Sequence, residues 1–317
     1  MQSVHFPVMC QEVVALLNPL PKQIYVDGTF GAGGYARALL EKADVHVFGI
    51  DRDPDAIKRG LALKSEYKDR LTLIEGEFGN MEGLLATQGI SQVDGIVLDL
   101  GLSSPQLDEA QRGFSFQSDG PLDMRMSGQG LSAADVVAGH SEKELADIIW
   151  KYGQERRSRA IAKAIVRVRA ETPIERTQML ADIVRKIVGY QPGLDGATRT
   201  FMALRIYVND ELGELERALK AAEAVLVPGG RIVVVSFHSL EDRIVKNALS
   251  EKVELQTCAS RYHPGGRQAP PRIWHVLTPK PQAATQAEIA INPRSRSAKL
   301  RAAMRMEVVR EEGVMGR

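Results

Sequence analysis

The residue types best able to do chemistry are concentrated in one stretch, Ile24-Tyr-Val-Asp-Gly-Thr-Phe-Gly-Ala-Gly-Gly34. Gly28, Gly31, Gly33 and Gly34 let the backbone turn tightly and approach a ligand with no Cβ in the way. Asp27 sets a carboxylate beside the same crevice. The N–H groups that open the next helix are expected to face the ligand and favour its negative end. This chemistry is that of a nucleotide-type cofactor site.

Two cofactors fit. Gly31-x-Gly33-x-x-Ala36 satisfies the dinucleotide fingerprint, and Asp51 stands about 20 residues on, where a ribose-binding acid is expected. That reading supports NAD. An acid at the end of the first strand suits a ligand with a positive amino group instead, such as the methionine part of S-adenosylmethionine, and would repel a pyrophosphate.

These residues need strands to carry them. Ile24 to Val26, Val45 to Ile50, Leu71 to Ile74 and Gly95 to Leu98 are short apolar runs that end at or near Asp27, Asp51, Glu75 and Asp99. Helical patterns separate them, one opening at Asp53-Pro54. This alternation predicts a doubly wound α/β layer, in which ligands bind beyond the carboxyl ends of the strands. Leu100 to Gly130 reads as a long functional loop. The pattern from Ser132 to Asn209 is helical throughout, with a capping box at Ser141-Glu-Lys-Glu144. The sheet pattern returns with a helix from about Glu211, a break at Pro228-Gly-Gly230 and the strand Arg231 to Ser236. Ile273 to Leu277 and Leu300 to Val309 are the expected last strands of roughly seven. We expect a discontinuous sheet domain, 1–112 and 211–317, around an inserted loop and helical substrate-recognition domain, 113–210.

The 317 residues are 44% hydrophobic and 26% charged, as in an ordinary globular chain. Cys10 and Cys258 form no CxxC, and the six histidines show no ligand spacing, so neither a disulfide framework nor a metal is expected. No leader pattern and no apolar run of about 18 residues is present, so a cytoplasmic protein with no membrane partner is expected. Net charge is only +1, but Lys151 to Arg176 carries eight Lys/Arg against three Glu. Ile289 to Met306 carries five basic residues and no acid. Two such runs on a near-neutral chain point to nucleic acid.

Specific blocks recur in order: His5-x-Pro-Val-Met9, Asp27-Gly-Thr-Phe-Gly-x-Gly-Gly34, Asp51-Arg-Asp-Pro54 and Leu98-Asp-Leu-Gly-Leu-Ser-Ser-Pro-Gln106. Arg112-Gly-Phe-Ser-Phe116, Asp119-Gly-Pro-Leu-Asp-Met-Arg-Met126, Tyr152-Gly-x-Glu155 and Ala197-Thr-Arg-Thr-Phe201 follow, then Ser236-Phe-His-Ser-Leu-Glu-Asp-Arg243 and Asn292-Pro-Arg-Ser-Arg-Ser297. From about His5 to Arg301 the chain resembles the RsmH (MraW) family, bacterial methyltransferases of small-subunit ribosomal RNA. The resemblance implies a Rossmann-like class I methyltransferase fold. It also implies S-adenosylmethionine-dependent N4-methylation of a cytidine in the decoding centre of 16S rRNA, near the P site, with the 30S subunit as partner. By matching motif, Gly33, Gly34, Tyr35, Asp51, Phe78, Asp99 and Gln106 would hold the cofactor, beside Asp27 and Gly31. Tyr35 stands where the family often has His, and Asp195-Gly196 replaces a common His-Pro, which weakens any role for those two residues.

A cytosine amine is a weak nucleophile because its lone pair is delocalised into the ring. Localising that pair needs a hydrogen-bond acceptor, and Asp99 or a carbonyl of the following loop is the candidate, against a purely cofactor-binding Asp99. Phe114 and Phe116 could stack on a flipped base or form the loop's own core. Arg112 and Arg125 are expected to pair with Asp108, Asp119 or Asp123. Arg156, Arg157 and Arg159, with Arg294, Arg296 and the rest of the run to Arg305, are the phosphate candidates. Ser239-Leu-Glu-Asp242 reads as a helix cap rather than part of a hydrolase triad. An NAD-dependent oxidoreductase and a non-catalytic RNA-binding module remain the alternatives.

Overall fold

The structure is a computed structural model that describes residues 7–189, 193–250 and 273–307. The elements in chain order begin α1 (Cys10–Leu17), β1 (Ile24–Asp27), α2 (Gly34–Lys42), β2 (His46–Asp51), α3 (Pro54–Tyr67), β3 (Leu71–Glu75), α4 (Met81–Ala86) and β4 (Val93–Asp99). Six helices follow: α5 (Ser104–Asp108), α6 (Ala133–Gly139), α7 (Glu142–Gly153), α8 (Ser158–Arg169), α9 (Thr177–Val188) and α10 (Thr198–Val208). The chain continues with α11 (Glu211–Val225), β5 (Leu226–Ser236), α12 (Ser239–Ala248), β6 (Trp274–Val276), β7 (Gln282–Ala283), α13 (Gln286–Ile291) and β8 (Lys299–Arg305). The chain divides into a sheet unit (Met1–Asp51, Asp55–Gly101, Leu215–Arg317) and a helical unit (Arg52–Pro54, Leu102–Glu214). The units therefore meet at 101/102 and 214/215, with Arg52–Pro54 assigned to the helical one, rather than at 112/113 and 210/211.

The sheet has the order β3-β2-β1-β4-β5-β8-β6, with β7 on β8. Its first five strands are parallel and β8 is antiparallel to β5, so this is a Rossmann-like, mostly parallel α/β sheet. The strands of a parallel sheet are buried on both faces, so each carries apolar residues at consecutive positions. Tyr25, Val47, Val97, Val233 and Val235 pack on one side with α1 and α2. Val26, Phe48, Ile96, Leu98 and Val234 pack on the other with α4 and α11. Eight strands stand among the described residues, in keeping with the roughly seven expected, the additional one being the two-residue β7. Pro228-Gly-Gly230 does not break the chain before β5. The strand runs through it, and its register on β4 jumps from Val93↔Leu226 to Gly95↔Arg231. β8 ends at Arg305, and the expected end at Val309 lies outside the described residues.

The helical unit has its own core, including Leu145, Ile149, Ile165, Leu180 and Leu204. The segment 100–130 is not simply a loop. It holds α5 and a 3-10 turn at Ala110–Arg112, then passes through this core as Phe114, Leu122, Met124 and Met126. Asn209, 2% exposed, fixes that passage: its Nδ2 donates to Met124 O (2.7 Å) and its Oδ1 accepts from Met126 N (2.9 Å). A Cβ on Gly120 would lie 1.8 Å from Ala110 O, so only glycine lets the two backbones meet. Ser141 and Glu144 form the expected capping box, and Ser132 with Asp135 forms a second that opens α6. The Asp195 carboxylate accepts from Ala197 N (2.9 Å) and pairs with Arg185 (2.9 Å), which holds it below the usual carboxylate range. The departure at 195–196 thus has a structural job.

Candidate active site

The site is built from three strand ends and the start of α2. Register pairs Asp27 with Gly49 and with Val97, so Asp51 and Asp99, two residues further on, share Asp27's face of the sheet. That face carries α2. Asp51 Oδ2 accepts from Gly31 N at 2.7 Å, and Asp27 Oδ2 from Ala36 N at 3.2 Å. Thr29 joins the two central strands: its N–H donates to Asp27 Oδ1 (3.4 Å), and its hydroxyl accepts from Asp99 N (2.7 Å). Gly33 caps α2 at φ 76°, and a Cβ there would stand 2.7 Å from Leu63 Cδ2 and from the Phe30 ring. The turn therefore requires glycine.

Electrostatics then select the ligand. Burial pushes the Asp27 carboxyl up to about 7, although the N–H groups of Thr29 and Ala36 pull the other way. Burial pushes Asp99 up to about 8, the Tyr35 hydroxyl pulls the other way, and the charges of Asp27 and Glu241 add to the rise. Asp99 Oδ1 is buried and has no hydrogen-bond partner among the described residues. Two crowded carboxyls favour a cationic ligand, whose charge would stabilise their ionised forms. The expectation that the α2 N-terminus is open to a ligand's negative end is corrected, because Asp27 binds Ala36 N there. A pyrophosphate there would lie beside that carboxyl, which weighs against NAD. An amino-acid sulfonium with a ribose fits these residues.

Phe78 opens the 3-10 turn after β3, and its Cβ lies 3.4 Å from where a Cβ on Gly28 would stand. Gly31, Gly33, Gly34, Tyr35, Asp27, Asp51, Phe78 and Asp99 all belong to the sheet unit. Tyr35 is buried, and its hydroxyl donates to Val8 O at 2.6 Å. Gln106 belongs to the helical unit, where both ends of its amide are engaged: Oε1 accepts from Ser103 N and Nε2 donates to Asp53 Oδ2, each at 3.0 Å. The amide thus also ties α5 to the segment that carries Asp53.

His238, not Ser239, caps α12. Its Nδ1 accepts from Glu241 N (3.4 Å), and Glu241 Oε2 accepts from Phe237 N (2.8 Å) and His238 N (3.1 Å). The hydroxyl reading missed this because an imidazole can cap in the same way from one position earlier.

The aromatic and basic candidates divide. Phe114 is 6% exposed in the helical core with Arg112 over its ring, and Phe116 lies edge-on to Phe201 with Arg185 over it. Phe114 is a core residue and Phe116, partly buried, packs against the same core, as the reading of these rings as the loop's own core has it. Arg125 pairs with Asp123 (2.6 Å) as expected, but Arg112 pairs with the buried Asp53 (3.0 Å). Arg157 donates to Ile187 O, whereas Arg156, Arg159 and Lys163 are exposed and enter no hydrogen bond or ion pair among the described residues. The only carboxylate from Trp150 to Ala170 is Glu155, which is 3% exposed. Trp150, absent from the sequence expectations, is 57% exposed on α7. No spacing rule marks a surface tryptophan, so only the fold reveals it. In the sheet unit, Arg294 and Arg296 are exposed, but Lys299 and Arg301 pair with Asp242 (3.2 and 2.7 Å), and Arg305 donates to Leu226 O. Three of the five cations in that run are therefore structural.

No helix among the described residues is long and apolar enough to cross a membrane. Several relatives are similar over nearly the whole chain, each named a ribosomal RNA small subunit methyltransferase H. The one from Rhodospirillum rubrum is 55% identical, covering 96% of this chain and 94% of its own. That from Nitrobacter hamburgensis is 57% identical (95% and 90%), and that from Rhodopseudomonas palustris 56% (96% and 91%). The MraW methylase profile matches residues 2–306. With an acid-lined strand-end crevice suited to a cationic ribose-bearing ligand, the chain belongs to the MraW methylase family of S-adenosylmethionine-dependent methyltransferases.

Proposed function

We propose that the protein methylates the exocyclic N4 amine of a cytidine in the decoding centre of 16S rRNA, at the P site, with the 30S subunit as the substrate particle. The observation that carries this reading is the buried, unpartnered Oδ1 of Asp99 at the end of β4. Among the described residues it is an acceptor with no donor, as an amine substrate requires. The relatives' names support a small-subunit RNA target.

When bound, S-adenosylmethionine supplies a methyl group on a positively charged sulfur. Asp27 would face the ligand's ammonium group, Asp51 its ribose, and the backbone of Gly31, Gly33 and Gly34 would let it approach closely. Asp99 Oδ1 would accept one amino hydrogen of the base, localising the nitrogen lone pair for attack. On accepting a methyl group the nitrogen would lose that hydrogen as a proton, and Asp99, as the carboxylate, would take it. Positioning supplies much of the rate enhancement in such a transfer. Arg156, Arg159, Lys163 and Trp150 in the helical unit, with Arg296 in the sheet unit, are the residues we assign to RNA. Cations there give affinity without reading sequence, and an exposed indole offers a stacking face.

The test is to incubate 30S subunits from cells lacking the protein with it and methyl-labelled S-adenosylmethionine. Nuclease digestion and mass spectrometry should place the label on N4 of a decoding-centre cytidine. Label on another atom or another nucleotide would overturn the assignment, and no transfer to subunits or free rRNA would discard the substrate.

A further inference from the structure

The block Ser236-Phe-His-Ser-Leu-Glu-Asp-Arg243 is largely taken up by packing. Ser236 Oγ donates to Lys299 O (3.3 Å), His238 caps α12, and Asp242 holds Lys299 and Arg301. The Phe237 ring is left over. Its place follows from β5. Asp99 pairs with Val235 across β4 and β5, and Leu100 N donates to Val235 O at 2.9 Å. Phe237 comes two residues after Val235, on the face of the sheet that carries Asp99. There the ring packs against the core that includes Val235 and Leu300, yet it is only partly buried. Its backbone is fixed, because Phe237 N donates to Oε2 of the buried Glu241 at 2.8 Å. Gly101 stands over the ring at φ 102°, and a Cβ built on it would meet only Phe237 Cδ2, at 3.6 Å, among the described residues. Any side chain at 101 would thus lie on the ring at the separation of stacked planes. Glycine leaves that place open.

We propose that Phe237 is the platform on which the target base stacks, and that its ring plane sets the exocyclic amine at Asp99 Oδ1. This rests on, and deepens, the reading of a cytidine amine as the methyl acceptor. A base reached for chemistry is taken out of its own stack, and an aromatic ring in the enzyme replaces the contacts it loses. Two residues of strand advance roughly 6.5 Å, about the reach from the middle of a pyrimidine through its amine and one hydrogen bond. Stacking fixes the plane of the base and leaves its edge free. The edge is then held by the acceptor at the end of β4, where Oδ1 has no other donor among the described residues. Phe114 and Phe116 belong to the core of the helical unit, so the platform comes from the sheet unit, on the strand beside Asp99.

The test is single-turnover methyl transfer to 30S subunits from cells lacking the protein, comparing the wild type with Phe237→Leu, Phe237→Tyr and Phe237→Trp. Thermal melts and S-adenosylmethionine affinity are measured on the same samples. Leucine keeps an apolar side chain but offers no stacking face, so it should slow transfer about tenfold or more with melting and cofactor affinity retained. Tyrosine and tryptophan should restore most of the rate. A leucine variant as fast as the wild type overturns the proposal, and so does a loss that neither aromatic restores. Should Phe237→Leu fail to fold, or the wild type transfer no methyl, irradiation of the wild type with 5-iodocytidine or 5-iodouridine and S-adenosylhomocysteine decides. A crosslink at Phe237 is expected, and its absence is equally fatal. The position of the label is read separately. Methylation of another atom or nucleotide would discard the substrate reading, while the comparison of aromatic with leucine would still decide the stack.

Discussion

Asp27, the last residue of β1, accepts a hydrogen bond from the backbone N–H of Ala36, the third residue of α2, at 3.2 Å. The protein's own carboxyl thereby occupies the helix terminus that a dinucleotide site would keep for phosphate. One side chain decides between two cofactors that share a glycine pattern.

Replacing it should separate stability from binding. Asp27→Asn can keep the bond from Ala36 N while removing a charge that burial disfavours. At about pH 8 the free variant should melt no lower than the wild type, yet bind S-adenosylmethionine about tenfold or more weakly, since a buried charge contact is worth roughly 1–3 kcal/mol. Thermal melts and calorimetry read the two effects side by side.

The raised carboxyls also set a pH dependence. Asp27 and Asp99, at about 7 and about 8, bind more protons folded than unfolded between about pH 4 and those values. Their contribution to stability is full below about pH 4 and is lost as pH rises through about 7 to 8. Binding of a cation should run the other way, tightening over the same window with release of protons. Calorimetry at pH 7 in buffers of different ionisation enthalpy should show that release, and Asp27→Asn should diminish it.

The two phenylalanines should behave as core residues. Phe114→Ala removes a buried ring and is expected to cost about 3–5 kcal/mol. Phe116→Ala, only partly buried, should cost less. Denaturant melts should detect both losses without RNA, whereas a stacking residue would show its effect only in RNA binding.

For the exposed residues the opposite holds. Arg156→Ala and Arg159→Ala should leave melting unchanged, weaken binding to 16S rRNA and each reduce the slope of log affinity against log salt by about one. Trp150→Ala should weaken binding by about 1–3 kcal/mol with the salt slope retained, as expected for lost stacking. Filter binding across a salt series distinguishes the two modes.

The sheet strands and their terminal acids were legible in the sequence because a strand buried on both faces must be apolar at consecutive positions and must stop where a charge begins. Asp27, Asp51 and Asp99 could be found that way, and the helices by Ser141 and the apolar spacing after it. What those side chains bond to was not legible, because the partners are distant in sequence. Asp53 meets Arg112, Arg301 meets Asp242, and Tyr35 meets Val8 only once the chain has folded. The same holds for Phe114 and Trp150, one turned inward and the other outward. Local sequence determined the elements and the chemistry on offer. Packing decided which charges are paired, which are buried and raised, and which face the solvent, because only the folded chain sets the distances between groups and their access to water.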